Sequence, residues 1–292
     1  MTDPDLYQLD PKPPVPILPG VVIVREAAHS TIDALAAEMF IHANNCARAY
    51  GEFHMALSGG STPVPLYERL MIDPALRDFP WEKSHIWIVD ERRVPFDDAR
   101  SNFKAINEIL GDHSGIPAAN VHPIFAMSED ADTAYELQLR QVLGKRERGQ
   151  ERLDFMMLGM GSDGHTASLF PHSPALGIDD RAQSPRALPR LVRINSGPNV
   201  TPPDRVTMTF DMINASRFVA VLATGAAKRA TIERVAAGVG ASCGTGPGGA
   251  PIGPVPSGEA IAELPILGVR PVAGVLRWYL DHDACASPAP GA

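Results

Sequence analysis

An aspartate and a histidine stand two residues apart in a glycine-rich stretch of the chain, and together they could transfer a proton. The stretch reads Leu158-Gly-Met-Gly-Ser-Asp-Gly-His-Thr-Ala-Ser-Leu-Phe-Pro171 and contains Asp163 and His165. Enzymes commonly use a carboxylate beside an imidazole for acid–base chemistry near neutral pH. The three glycines of the stretch 158–171 leave the backbone free for positive φ and for close approach to a ligand. We therefore predict a catalytic loop whose reactive groups are Asp163 and His165.

A second glycine-rich stretch, Ser58-Gly-Gly-Ser-Thr-Pro63, fits a small anion. It follows a predicted strand and precedes a predicted helix, where backbone N–H groups and the helix dipole favour negative charge. A tight structural turn would give the same pattern. The stretch lacks the Gly-Lys-Ser/Thr of a Walker A loop, which argues against a nucleoside triphosphate. The candidate anion-binding residues are Ser58, Gly59, Gly60, Ser61 and Thr62.

Charged residues at three further places could complete an anion site. Asp90-Glu-Arg-Arg-Val-Pro95 follows a predicted strand, at the end of a sheet where α/β proteins bind ligands. Arginine's planar fork suits phosphate. A surface ion-pair cluster is the alternative explanation for residues 90–95. For Lys228, its position alone favours an ordinary exposed helical lysine. The candidate residues are Asp90, Arg92, Arg205 and Lys228.

Apolar runs of strand length alternate with segments of helical periodicity along most of the chain. The predicted strands are 21–24, 53–57, 85–89, 121–125, 153–158, 217–223 and 274–280. The predicted helices are 32–43 with Ser30 as cap, 66–71, 103–110, 130–143 and 227–237. Such alternation is typical of an α/β protein with a largely parallel sheet that is covered by helices on both faces.

The proline and glycine content suggests how the chain is divided. Residues 1–20 contain six prolines and are predicted to be an extended or disordered lead-in. Residues 21–285 are predicted to form a single α/β domain, and residues 286–292 a tail. Within the domain, residues 238–258 contain eight glycines and four prolines. This segment is either a lid or a flexible insertion.

The overall composition excludes several classes of protein. A net charge of −8 argues against a nucleic-acid or anionic-membrane binder. No apolar run is long enough to cross a bilayer, and the amino terminus does not resemble a signal peptide. Three scattered cysteines favour a reducing compartment, so we expect a cytoplasmic protein. We further expect a monomer or a homodimer. No His-Glu-x-x-His or paired Cys-x-x-Cys occurs, so we predict no metal and no cofactor.

These motifs, in this order, resemble the 6-phosphogluconolactonases, which share a fold with glucosamine-6-phosphate deaminases. The resemblance extends from about Val21 to Leu280 and is most specific in the stretch 158–171. It implies a modified doubly wound, mostly parallel sheet with a smaller β-containing elaboration. It also implies hydrolysis of 6-phospho-D-glucono-1,5-lactone to 6-phosphogluconate in the oxidative pentose phosphate pathway.

The resemblance assigns roles to the candidate residues. His165 would be the general base that activates water, and Asp163 would orient it or tune its pKa. The Ser58–Thr62 loop, Arg92 and Lys228 would bind the phosphorylated substrate, with Arg205 as a further contributor. Arg93 falls where the family varies and receives less weight than Arg92.

Two alternatives to the lactonase are an amino-sugar-phosphate isomerase or deaminase and a non-catalytic sugar-phosphate sensor. Deaminases carry a glutamate before the proline of this loop, whereas this chain carries Phe170, which cannot act as an acid or base. The sensor would require an attached DNA-binding module, for which residues 1–20 are too short. Both features favour the lactonase.

Overall fold

Twelve strands form three sheets in the computed structural model, which describes residues 13–178, 189–239, 244–246 and 251–285. The strands are β1 (Val21–Arg25), β2 (Phe53–Leu57), β3 (Ser84–Ile88), β4 (Asp90–Arg92), β5 (Val121–His122), β6 (Phe155–Leu158), β7 (Val192–Ser196), β8 (Asp204–Met208), β9 (Phe218–Ala223), β10 (Gly244–Thr245), β11 (Pro251–Ile252) and β12 (Val275–Asp281).

The main sheet has seven strands in the spatial order β1-β12-β9-β6-β2-β3-β5, and every neighbouring pair is parallel. All residues of β2, β3, β6 and β9 are buried, so both faces of the sheet are covered. The predicted α/β class with a largely parallel sheet is confirmed. Each of the seven predicted strands is present, with 121–125 shortened to two residues.

The chain reverses its direction of travel across the sheet between β2 and β6. From β2 it continues to β3 and β5 on one side, and from β6 it continues to β9 and β12 on the other. The loops that leave these two neighbouring strands therefore diverge and open a crevice at their carboxyl ends. Ligands of doubly wound sheets bind at such a switch point.

A smaller antiparallel sheet, in the order β4-β8-β7, lies beside the carboxyl end of β3. It agrees with the β-containing elaboration that the resemblance implied. The residue pattern alone did not predict these strands. β4 has only three residues and follows β3 after a single residue, so apolar periodicity cannot separate the two.

Seven α-helices connect the strands of the described residues. They are α1 (Ala28–Tyr50), α2 (Val64–Ile72), α3 (Asn102–Ile106), α4 (Ala131–Leu143), α5 (Phe210–Ala215), α6 (Arg229–Val239) and α7 (Gly258–Glu263). A π-helical turn, Asn107–Gly111, extends α3, so the predicted helix 103–110 is confirmed. The prediction that Ser30 caps α1 is wrong, because the N-cap residue is Ala27. Ser30 lies inside the first turn and accepts a hydrogen bond from the Ala27 N–H at 3.2 Å.

Parts of the predicted lead-in, tail and 238–258 segment lie outside the described residues, namely 1–12, 286–292, 240–243 and 247–250. Within the 238–258 segment, β10 and β11 pair as a short antiparallel ladder. Among the described residues, no helix is both long and apolar enough to span a membrane.

A fully buried carboxylate, Asp154, anchors the start of β6. It accepts hydrogen bonds from the backbone N–H of His54 at 2.9 Å and from the Arg217 side chain at 2.9 Å. Arg146 forms an ion pair with the same carboxylate at 3.0 Å. Removal of one member of such a buried network leaves opposite charges without compensation. Asp154 therefore ties β2, β6 and the start of β9 together.

We expect Asp154→Asn to lower the free energy of unfolding by about 3–5 kcal/mol, because two buried arginines lose their anionic partner. Urea denaturation monitored by circular dichroism measures this change. The matched control is Asp98→Asn, which removes an arginine-paired carboxylate near the protein surface. That variant is expected to retain nearly all of its stability. Equal losses in the two variants would contradict the anchoring role of Asp154.

Candidate functional site

A cavity of about 440 Å³ lies at the carboxyl ends of β2 and β6, at the switch point of the sheet. Its walls come from the loops after β2 and β6, from β4 and β8, and from the turn before α6. The walls contain nine of the eleven residues that the sequence predicted for the site. These are Ser58, Gly59, Gly60, Thr62, Asp90, Arg92, His165, Arg205 and Lys228.

Two predicted residues lie outside the cavity wall. Asp163 stands behind His165 and contacts it directly, as described next. Ser61 is exposed, on a turn of the loop after β2. The hydroxyl of Ser58 donates to the backbone oxygen of Met157 at 2.8 Å. Its single proton therefore serves the pairing of β2 with β6 and is not offered to a ligand.

Asp163 and His165 form a hydrogen-bonded pair. Oδ1 of Asp163 lies 2.6 Å from Nδ1 of His165 and also accepts the His165 backbone N–H at 3.1 Å. Burial opposes ionisation of Asp163, but these bonds outweigh it and hold the pKa of its carboxyl below the usual value. A carboxylate on Nδ1 fixes the proton on that nitrogen and leaves Nε2 as the basic one. His165 is thus prepared to accept a proton.

The glycines of this loop have different physical roles. A Cβ on Gly161 would lie 2.2 Å from Nδ1 of His165 and 2.5 Å from Oδ1 of Asp163, so only glycine leaves room for the pair. Gly164 has a φ of +87°, in the region that favours glycine. Gly159 has neither a positive φ nor a close neighbour. The sequence-based role therefore applies to Gly161 and Gly164 but not to Gly159.

Three cations face the cavity against a single carboxylate among its described lining residues. The cations are Arg92, Arg205 and Lys228, and the carboxylate is Asp90. Arg92 and Arg205 are directly opposite each other on β4 and β8. Like charges in this relation repel, and an anion between them would remove the repulsion. The electrostatics of the site therefore favour a negatively charged ligand.

The cationic side chains are held in place by backbone oxygens. Nζ of Lys228 donates to the carbonyl of Met160 at 2.6 Å, within the loop that carries Asp163 and His165. Burial lowers the pKa of Lys228, while the nearby Asp163 carboxylate acts in the opposite direction. Arg205 is almost fully buried, and its guanidinium donates to the carbonyls of Pro202 and Asp204. Because these contacts restrict rotamers, the charges keep fixed positions before a ligand arrives.

Buried Glu91 organises the wall next to Asp90. Its carboxylate accepts backbone N–H groups of Arg92, Asn102 and Phe103, each at 2.7 Å, and the Ser101 hydroxyl at 3.0 Å. Burial raises the pKa of Glu91, although all four hydrogen bonds act in the opposite direction. This arrangement fixes the start of α3 and places Asn102 in the cavity wall.

The other wall residues received no binding role from the sequence, among them Asn102, Ser168 and Phe170. The amide of Asn102 donates to the Asp90 carbonyl at 2.7 Å, and its side chain packs against Gly59. Ser168 donates to the Asp90 carboxylate at 2.6 Å. The Phe170 ring lies 5.0 Å from the His165 ring and 6.0 Å from the Arg205 guanidinium. Ser168 and Phe170 belong to the 158–171 motif, so the motif itself was the available signal.

Residues 26–257 match the family described as glucosamine-6-phosphate isomerases/6-phosphogluconolactonase. A 6-phosphogluconolactonase of Nostoc sp. is 36% identical over 239 residues, which cover 81% of this chain and 85% of the relative. The human GDH/6PGL endoplasmic bifunctional protein is 35% identical over 268 residues, or 90% of this chain. This chain spans only 30% of that protein's length.

Solved structures show the same fold. The 6-phosphogluconolactonase of Thermotoga maritima superposes with a TM-score of 0.67 at 27% identity, covering 89% of this chain and 99% of the other. The enzyme of Leishmania guyanensis gives 0.64 at 28% identity, covering 91% and 99%. The resemblance drawn from the sequence motifs is confirmed, and the chain belongs to the glucosamine-6-phosphate isomerase/6-phosphogluconolactonase family.

Proposed function

We propose that this chain hydrolyses 6-phospho-D-glucono-1,5-lactone to 6-phospho-D-gluconate. The observation that carries the proposal is the Asp163–His165 pair at 2.6 Å, with His165 on the wall of a cavity that three cations face. A base beside an anion site fits an ester that carries a phosphate. The curated and structural relatives named 6-phosphogluconolactonase support the same activity.

The reaction can be written with the residues of the site. Nε2 of His165 takes a proton from water, and the water oxygen attacks C1 of the lactone. The C1–O5 bond of the tetrahedral intermediate then breaks, and the His165 imidazolium returns the proton to O5. Asp163 stabilises the imidazolium through Nδ1. A well-placed general base contributes about 10²- to 10⁴-fold in rate.

The phosphate of the substrate provides orientation in this proposal. Arg92, Arg205 and Lys228, with the loop Ser58–Thr62, are the groups that would bind it. These contacts lie away from the reacting carbon. Binding energy from such a remote group positions the ester carbonyl against the base and the water.

Phe170 separates this proposal from an amino-sugar isomerase or deaminase. Its ring contacts the His165 ring at the position where a deaminase carries glutamate. Ring opening and enolisation need an additional acid or base, and a benzyl side chain provides none. The direct test is a coupled assay with freshly generated 6-phosphogluconolactone and, in parallel, glucosamine 6-phosphate. Turnover of the amino sugar without hydrolysis of the lactone would refute the lactonase proposal.

We expect His165→Ala to lower kcat about 10²- to 10⁴-fold while the inhibition constant of 6-phosphogluconate stays nearly unchanged. The reason is that the variant removes the base and keeps the anion-binding groups. Steady-state kinetics with the lactone measures both values. His172→Ala is the matched control, because His172 is an exposed histidine that follows the same loop and pairs with Glu263. Wild-type turnover by His165→Ala would exclude His165 from the chemistry.

We expect Arg92→Ala and Lys228→Ala to lower kcat/KM for the phosphorylated lactone about 10- to 100-fold each, as the loss of a charged hydrogen bond implies. Hydrolysis of unphosphorylated glucono-1,5-lactone should change much less. Arg93→Ala is the control, since the Arg93 guanidinium binds the carbonyls of Ala126 and Ser128 outside the cavity wall. Equal losses on both lactones would contradict a role in phosphate binding.

We expect Gly161→Ala to lower kcat at least tenfold, because the added methyl group would occupy the space between Asp163 and His165. The imidazole nitrogen shifts of His165, measured by NMR, should show the loss of the hydrogen bond. Gly159→Ala is the matched control in the same loop, where nothing lies within 4 Å of the added group. An intact Asp163–His165 bond in Gly161→Ala would show that the loop adapts and that this steric argument is wrong.

A further inference from the structure

A cluster of one carboxylate and two imidazole side chains lies at the amino ends of β2 and β3, at the opposite end of the sheet from His165. Glu52, His54 and His85 each offer one ligand atom, and these atoms lie within 4.8 Å of one another. The His54 and His85 rings stack with centroids 4.1 Å and planes 15° apart, so one ring must turn before both Nε2 atoms can face one ion. His54 and His85 are register partners on neighbouring strands. About four residues of strand, roughly 13 Å, separate this cluster from the loop at Ser58.

We propose that Glu52, His54 and His85 form a binding site for a divalent metal ion of the zinc class. Two imidazoles and one carboxylate are a ligand set that zinc takes in proteins, with a further position left for water or another ligand. The sequence predicted no metal, because the three ligands do not form a local motif. They meet only through the parallel pairing of β2 with β3.

The space around the cluster allows access for an ion. Glu52 is half-exposed, whereas His54 and His85 are buried. A cavity of about 600 Å³ adjoins Glu52 and His85. The nearby Arg146 shares the Asp154 carboxylate with Arg217, so it leaves positive charge beside the cluster, whereas Glu147 adds negative charge to the cavity wall. The exposed Lys145 is the other cation of that wall.

His85 has the surroundings of a metal ligand. Its Nε2 lies 3.9 Å from Oε1 of Glu52, and its Nδ1 lies 3.0 Å from Nε2 of His122. A histidine that binds metal through Nε2 needs an acceptor for the proton on Nδ1, and His122 can be that acceptor. Nδ1 of His122 lies 3.1 Å from the Gln138 amide, whose oxygen can accept the next proton after rotation. The second coordination shell of His85 is therefore present.

His54 faces a competing hydrogen bond. Its Nε2 lies 3.0 Å from Oε2 of Glu52, and its Nδ1 lies 3.2 Å from the indole nitrogen of Trp87. An indole N–H only donates, so Nδ1 of His54 must be the acceptor and the proton must reside on Nε2. Coordination through Nε2 would move that proton to Nδ1 and break the indole hydrogen bond. Trp87 thus weakens the site, and its removal should strengthen metal binding.

Calorimetric titration of the purified protein with Zn²⁺ tests the proposal, and the visible spectrum of bound Co²⁺ reports the coordination geometry. We expect one Zn²⁺ ion per chain and at least tenfold weaker binding in Glu52→Gln and His85→Gln. Glu52 is half-exposed, so Glu52→Gln preserves the fold even if His85→Gln does not. Trp87→Phe should bind Zn²⁺ several-fold more tightly, because Nδ1 of His54 can then hold the proton.

His165→Ala separates this cluster from the Asp163–His165 pair, which could itself bind zinc. Affinity that is unchanged in His165→Ala supports the cluster, and affinity lost in that variant alone overturns the proposal. Affinity that is unchanged in both Glu52→Gln and His85→Gln would identify an adventitious ion only. Unchanged or weaker binding in Trp87→Phe would overturn the assignment of His54 as a ligand.

Discussion

The parallel pairing of β2 with β6 is the constraint on which the rest of this protein depends. Side chains hold the pair at both ends. Asp154 accepts the His54 N–H at the amino end, and Ser58 donates to the Met157 carbonyl at the carboxyl end. Because the chain leaves β2 and β6 in opposite directions, the loops that follow diverge and form the cavity. The rigid pair thus positions both loops before any ligand binds.

The cavity combines rigid supports with a cost in electrostatic energy. Arg92 repels Arg205 across β4 and β8, and Arg205 is also buried, although the attraction of Asp90 offsets part of this cost. Hydrogen bonds to Pro202 and Asp204 keep Arg205 in place, and Glu91 fixes the backbone of Arg92. The repulsion is therefore retained in the folded state. An anionic ligand would relieve the repulsion between the two arginines, and this relief would contribute to the free energy of binding.

The sequence predicted the main sheet because its strands are apolar and separated by periodic helices. It also predicted nine residues of the cavity wall, since motifs such as Ser58–Pro63 follow strands whose carboxyl ends share one edge. It could not show that Asp163 touches His165, because two residues of a loop can point in different directions. Nor could it predict Asn102, whose position depends on Glu91, eleven residues earlier in the chain.

The two ends of β2 show why some clusters of polar side chains escape sequence analysis. At the carboxyl end, the candidate site residues lie in glycine-rich loops, and such loops leave a recognisable local pattern. At the amino end, His54 and His85 lie inside strands that are 31 residues apart in the chain and meet by register alone. A single polar residue inside an apolar strand gives no local signal of a binding site. A cluster of this kind becomes visible only when the pairing of the strands is known.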